Sequence, residues 1–410
     1  MTNYIERTLE PALRQAAKDF PAVLVTGPRQ SGKTTILQHL FGASHRFVPL
    51  DEPDLRALAL ADTRLFLSQH PPPVIFDEIQ YAPELLHYIK RDIDAHRGLK
   101  GRYLLSGSQN LLLMQGITET LAGRIAVLTL LSLSQKEKKG DPHARPFWEA
   151  DSGSAAMESA GQKIAAEEIM AGILRSGFPE LVAEPDRDPR PWFAAYVQTY
   201  LERDVRNIRN VGSLADFQRF LLALAARTAQ LLNVSEIARE IGIAVNTAKA
   251  WLSILEASFQ IVLLKPYYAN LGKRLVKAPK LYFLETGLPA YLTGLVEPKH
   301  ALLGPMGGPL FENAVFAELY RGFAHRGEVP RIFFWRTAAG QEVDFILDFG
   351  AYLMPLEVKL TATPAPALTA NLQALRALFA KKVRLSYLVC LSSRVSQLAA
   401  DVIVAPFETI

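Results

Sequence analysis

Apolar positions fall along this chain in two rhythms, and the alternation between them marks out its elements. The run Val23-Leu24-Val25 is unbroken, as in a strand buried on both faces. After a glycine-containing turn, Ile36, Leu37 and Leu40 recur at helical spacing. Phe47 to Asp51 reads as a short strand ending in an acid, and Leu55 to Leu67 as a helix. Pro71, Pro72 and Pro73 stop that helix and introduce the apolar strand Val74-Ile75-Phe76, which ends in Asp77 and Glu78. Arg102 to Gln109 is a further strand with a polar end. Strands alternating with helices in this way predict a doubly wound parallel sheet over residues 1–133.

The pattern then changes. Residues 134–163, with KEKKGDPHARP and EADSGSAAMESAG, are charged, small and turn-rich, and predict a linker or mobile insertion. Residues 164–211 predict a helical connector, with helices at Ile164–Ser176 and Trp192–Ile208. Residues 212–298 carry a helix-turn-helix pattern. Asn233 with Glu236 is a capping-box-like start, Ile237 and Ile241 form an apolar face, and Gly242 permits the turn. A second helix, Asn246–Ser258, turns Ala248, Leu252 and Leu255 inward, and a strand from Gln260 to Leu264 would begin a wing. Residues 299–410 offer an amphipathic helix from Phe311 to Tyr320 and strands at Ile332–Trp335, after Gly340, at Leu356–Lys359 and at Leu385–Leu391. The expected fold class is α/β and multidomain.

Composition narrows the function classes. The chain has 410 residues, room for two to four cores. Hydrophobic residues make up 49% and charged residues 21%, and the net charge of +4 permits nucleic-acid contact without demanding it. The single cysteine, Cys390, excludes an internal disulfide and a cysteine-rich zinc site, so a reducing, cytoplasmic setting is expected. The start MTNYIERTLEPAL is an amphipathic helix candidate without the apolar core of a signal peptide. No run approaches 18 uninterrupted apolar residues, so no membrane span is expected.

The chemistry starts at the turn after Val25. Gly27, Pro28, Arg29, Gln30, Ser31, Gly32, Lys33, Thr34 and Thr35 have the spacing of a phosphate-binding loop. Its backbone N–H groups would face inward on a phosphate, with a helix N-terminus behind them. Lys33 reaches the β- and γ-phosphates, and the Thr34 hydroxyl takes a Mg²⁺ position. At the end of the later strand, Asp77 would hold Mg²⁺ through water and Glu78 would orient the attacking water. Ser108 is the candidate γ-phosphate sensor, against a simple turn serine. Arg124 is a candidate for steadying transferring phosphoryl charge in cis or in trans, against a surface arginine.

GPRQSGKTT, VIFDEIQ, LLSGSQ and ETLAGRI together resemble a bacterial and archaeal group of AAA+-type ATPases. In that group a helical region and a restriction-endonuclease-like domain follow the ATPase module. The resemblance implies ATP as the nucleotide, catalytic Lys33 and acids Asp77 and Glu78, and a homo-oligomer, with a ring as one form.

Two further constellations point to nucleic acid. Asn246, Thr247 and Lys249 start the second helix of the helix-turn-helix, where a recognition helix touches bases, and Lys273, Arg274, Lys277 and Lys280 follow with the aromatics Tyr267 and Tyr268. The alternative is a winged helix packed on its own chain. In the last domain, Glu312 on a helix, Asp344 on one strand and Glu357-x-Lys359 on the next form the PD-(D/E)xK nuclease pattern. Glu357 and Lys359 share a strand face. Asp344 and Glu357 would share a second divalent ion, Mg²⁺ or Mn²⁺, Lys359 would orient water, and Glu312 would complete the site. The spacing resembles that of archaeal Holliday-junction resolvases, which implies branched DNA as substrate. The leading expectation is thus an ATPase acting on DNA with a metal-dependent endonuclease module. The alternative is an ATP-dependent switch whose last two modules bind a nucleic-acid or protein partner without cutting.

Overall fold

The computed structural model describes residues 4–108, 120–149, 164–201, 213–267, 278–337 and 339–410. The first unit is a parallel sheet of β1 (Ala22–Thr26), β2 (Arg46–Pro49), β3 (Val74–Asp77), β4 (Tyr103–Gly107) and β5 (Ile125–Thr129), in the order β2-β3-β4-β1-β5. Side chains alternate across β1 and serve both faces. Val23 and Val25 pack with Ile36 and Leu37 of the helix Lys33–Phe41, and Leu24 packs in the opposite layer with Phe76, Leu86 and Ile89. Burial on both sides explains the unbroken apolar run of β1. The phosphate loop leaves the carboxyl end of this central strand, where open α/β sheets bind ligands.

The second unit is helical. Helices Ala166–Arg175, Pro179–Ala183, Pro189–Tyr196, Leu214–Ala225, Val234–Ile241 and Val245–Ala257 precede a two-stranded antiparallel sheet of β6 (Ile261–Leu264) and β7 (Lys280–Phe283). The expected connector is not separate from the helix-turn-helix. Phe178, Trp192, Phe193 and Tyr196 share one core with Phe217, Phe220, Trp251 and Leu255. The helix expected from Trp192 ends at Tyr196 and continues as a wider turn over Val197–Leu201; the rest of that expectation lies outside the described residues.

The last unit is a six-stranded mixed sheet of β8 (Ile332–Arg336), β9 (Glu342–Asp348), β10 (Leu353–Val358), β11 (Ser386–Cys390), β12 (Ser396–Ala399) and β13 (Val402–Pro406), in the order β12-β13-β11-β10-β9-β8. The 18-residue helix Gly307–Ala324 covers one face and Ala370–Leu378 the other.

Three expectations change. First, residues 134–149 are folded rather than a mobile insertion. Ser134 and Glu137 form a capping box, and the Trp148 ring stacks on Phe323 at 4.7 Å and 10°. Gly322 makes room for that ring, since a Cβ there would stand 2.6 Å from it. The polar composition misled because Glu137 is buried and paired with Arg7, and Lys136 and Lys138 donate to the Arg145 and Ser176 carbonyls; residues 150–163 lie outside the described residues. Second, the expected wing is an internal joint. β6 and β7 are largely buried, and the Asn313 side chain both accepts from Phe283 N–H (2.7 Å) and donates to its carbonyl (3.0 Å). Third, residues 4–9 precede the first helix, Glu10–Asp19, instead of belonging to it.

Candidate functional site

The phosphate loop has the backbone its sequence requires. Gly27, Gln30 and Gly32 have φ of 150°, 64° and 92°, and a Cβ on Gly27 would lie 2.0 Å from the Leu130 carbonyl oxygen. Lys33 folds back over the loop, its Nζ donating to the carbonyls of Gly27 (3.2 Å) and Pro28 (2.8 Å). The loop opens on a cavity of about 570 Å³ lined by Arg29, Lys33, Thr34, Thr35 and Glu78, and also by Tyr4, Arg7 and Glu180.

The acids of β3 are held by the neighbouring strand. Thr34 Oγ1 lies 2.9 Å from both Asp77 carboxylate oxygens, and Ser106 donates to Oδ1. Burial pushes the Asp77 carboxyl up, and the Ser106 and Thr34 donors oppose that push. A hydroxyl beside a buried carboxylate is the hard-oxygen donor set that suits Mg²⁺, whose charge would relieve the cost of burial. Glu78 sits at φ 55°, its N–H donating to Ser106 Oγ at 2.9 Å. Its carboxylate accepts from Ser108 at 3.2 Å and from Gln80. Ser106 and Ser108 lie two apart on or just beyond β4 and so face the same way. Sequence reasoning chose Ser108 and missed Ser106, although the spacing Ser-Gly-Ser carried the signal. Arg124 donates to Asp94 at 2.8 Å, both a third exposed, and does not line the cavity. Within its own chain it is a paired surface arginine.

Arg7, which carried no sequence signal, ties this site to the rest of the chain. Its guanidinium donates to Ser31 O (2.9 Å), to Leu131 O (2.7 Å) and to the Glu137 carboxylate (3.1 Å). Glu137 also accepts from the N–H groups of Thr8 and Ser134, both at 2.8 Å, and faces His325 Nδ1 at 3.3 Å. Leu131 N–H donates to His325 Nε2, so the ring proton sits on Nδ1 toward Glu137. Burial pushes the His325 pKa down, in keeping with a neutral ring. Burial also opposes ionisation of Glu137, but the Arg7 charge with the His325 and Ser134 N–H donors outweighs it and holds the carboxyl well below its ordinary range. On the same C-terminal helix, Arg321 pairs with Glu318 (2.8 Å) and donates to Ser132 Oγ (2.9 Å).

The C-terminal constellation does assemble. Asp344 Oδ2 accepts from Val358 N–H at 2.8 Å, beside Glu357, and Glu357 Oε1 lies 2.7 Å from Lys359 Nζ. Glu312 projects from the helix Gly307–Ala324 and accepts from Tyr282 OH at 2.6 Å. The sequence pattern put Lys280 on a nucleic-acid surface, but it is buried among these acids. Lys280 Nζ lies 3.0 Å from Glu312 and 3.7 Å from Asp344 and pairs with Glu342. Burial, then the Asp344 charge, raises Glu357 to about 8, and the same causes raise Glu312 to about 7. Among the described residues, no group of three or more His, Cys, Asp or Glu side chains is arranged to hold a metal. The expected metal ligands Asp344 and Glu357 stand side by side without a third such side chain among the described residues completing a group of that kind.

Of the expected nucleic-acid residues, Asn246 and Lys249 are exposed and Thr247 half-buried on the first turns of Val245–Ala257. Lys273, Arg274 and Lys277 lie outside the described residues. No helix among the described residues is long and apolar enough to cross a membrane.

Comparison with known proteins fits this division. Residues 19–138 match the profile of an AAA domain, and residues 166–299 and 307–410 match two domains of unknown function, DUF8612 and DUF4143. The uncharacterized proteins Rv2008c of Mycobacterium tuberculosis and Mb2031c of Mycobacterium bovis are each 30% identical over 355 residues, covering 86% of this chain and 73% of theirs. The chain belongs to their family. Within that family its first unit is a P-loop ATPase of the AAA type. The Walker-type ATPase PABY2304 of Pyrococcus abyssi is 16% identical, with a TM-score of 0.46 over 70% of this chain and 96% of that one.

Proposed function

We propose that the chain is a Mg²⁺-dependent ATP-driven switch that acts on DNA and does not cleave it. The observation that carries this reading is Arg7, whose side chain touches the phosphate loop at Ser31 and the Glu137–His325 pair that reaches the C-terminal helix. A change at the γ-phosphate then has a path of packed polar contacts into the last two units.

Lys33 leaves its carbonyl partners for the phosphates when nucleotide enters. Asp77, with Thr34, would hold Mg²⁺, which when bound neutralises charge on the β- and γ-phosphates. Glu78, set by Ser106 and Ser108, polarises the attacking water. DNA as partner is supported by the free face of Val245–Ala257, with Asn246 and Lys249 exposed. Oligomer formation belongs to the same proposal, and a trans role for Arg124 requires exchange of its Asp94 pair.

The second reading, a metal-dependent endonuclease on branched DNA, has one observation in its favour: Glu312, Asp344, Glu357 and Lys359 do converge. One experiment separates the two. Labelled duplex, forked and four-way DNA is incubated with Mg²⁺ or Mn²⁺, with and without ATP. The switch reading expects intact DNA, ATP-dependent retention lost in Lys33→Ala, and a salt slope shallower by about one in Lys249→Ala. Cleavage by the wild type that disappears in Glu357→Ala establishes the nuclease instead.

A further inference from the structure

The acid cluster of the last unit is filled from the middle unit. Lys280 is 3% exposed, on a strand held on both edges: β7 pairs with β6 through Leu264, and Leu231 bridges to Lys280 from the other side. The backbone at Lys280 is therefore fixed, and its side chain is buried facing the acids. Tyr282, two residues on, projects from the same face of β7 and donates to the Glu312 oxygen that Lys280 contacts. An ammonium has three N–H donors and no acceptor. Here three carboxylates surround it, those of Glu312, Glu342 and Asp344.

We infer that Lys280 is the resident cation of this cluster, so that the nuclease-like constellation is a metal-free joint between the middle and C-terminal units. Each of the four carboxylates already commits at least one oxygen to a protein partner. Asp344 gives Oδ2 to Val358 N–H and turns Oδ1 toward Lys280. Glu357 gives Oε1 to Lys359, and Glu342 is shared between Lys280 and Arg336. Glu357 Oε2 is buried without a hydrogen-bond partner among the described residues, and Glu312 makes its contacts with Tyr282 and Lys280 through Oε1. The few oxygens left over are short of the hard-oxygen shell that Mg²⁺ or Mn²⁺ requires. A divalent ion would also stand against the Lys280 ammonium.

The residue that decides this is Lys280, outside the PD-(D/E)xK pattern. Replacing it with methionine keeps a long apolar stem and removes the charge. Asp344 Oδ1 and Glu357 Oε2 then become available together.

The test is a Mn²⁺ titration of the full-length, nucleotide-free chain, with free Mn²⁺ read by electron paramagnetic resonance. Wild type and Glu357→Gln are expected to give superposed curves. Lys280→Met is expected to gain an ion at least about tenfold tighter than any bound by the wild type, and the double variant Lys280→Met/Glu357→Gln to lose it. A wild-type ion that disappears in Glu357→Gln overturns the inference. So does a folded Lys280→Met protein that binds Mn²⁺ no better than wild type. Should Lys280→Met fail to fold, the wild type and Glu357→Gln curves decide alone: superposition upholds the resident cation and divergence removes it.

Discussion

The guanidinium of Arg7 donates to the Ser31 carbonyl at 2.9 Å, so a residue ahead of the first helix helps hold the phosphate loop. The same group is an ion-pair partner of Glu137, whose side chain is fully buried. Removing it leaves that carboxylate short of a counter-charge in a low-dielectric setting. Arg7→Met should therefore destabilise the chain by about 3 kcal/mol, read as a lower denaturant midpoint. It should also slow ATP turnover, because the loop loses a hydrogen bond. Unchanged turnover in a folded Arg7→Met protein would detach the N-terminal segment from the site.

Ser106 acts on both acids at once, through the Asp77 carboxylate and the Glu78 N–H. It is a positioning residue that does not itself meet the substrate. Ser106→Ala should lower kcat by about 10- to 100-fold with nucleotide affinity little changed. A loss confined to KM would mean that Ser106 serves binding alone.

Glu357 makes stability depend on pH in an unusual direction. Burial and the Asp344 charge raise it to about 8, whereas an unfolded glutamate titrates near about 4.3. Between those values the native chain holds a proton that the unfolded chain releases. Stability therefore falls as pH rises through this window. Melting temperatures from pH 5 to 8 should decline less in Glu357→Gln than in the wild type. Parallel curves would show that the carboxyl is already ionised at neutral pH.

Trp148 tests the fate of the supposed linker. Its ring stacks on Phe323 and fills the space over Gly322. Trp148→Ala should cost about 3–5 kcal/mol in chemical denaturation, a loss that a mobile insertion would not show.

The phosphate loop was legible in the sequence because its determinants are local. Glycine spacing, an apolar strand before it and an apolar helix face after it fix the backbone within a dozen residues, and positive φ at Gly27 and Gly32 followed. Asp77 and Glu78 were legible because a strand buried on both faces can place acids only at its end. The spacing of Asp344, Glu357 and Lys359 likewise foretold their meeting across adjacent strands.

Only the tertiary structure decided what surrounds those groups. Arg7 stands 24 residues from Ser31 and 130 from Glu137, and no local pattern marks an arginine whose partners lie so far away. Residues 134–149 looked like a linker because composition counts charges without showing that Glu137 is paired and buried. The strand read as a wing became a joint because its pairing with β7, and the Asn313 side chain that holds Phe283 of β7, are long-range contacts. Lys280 is the clearest case. The sequence supplied the four residues of a metal-binding pattern, but the ammonium that stands among them arrives on a strand from another unit. A periodic pattern records which face a residue presents, and it carries no information on which distant charge the fold will bring to that face.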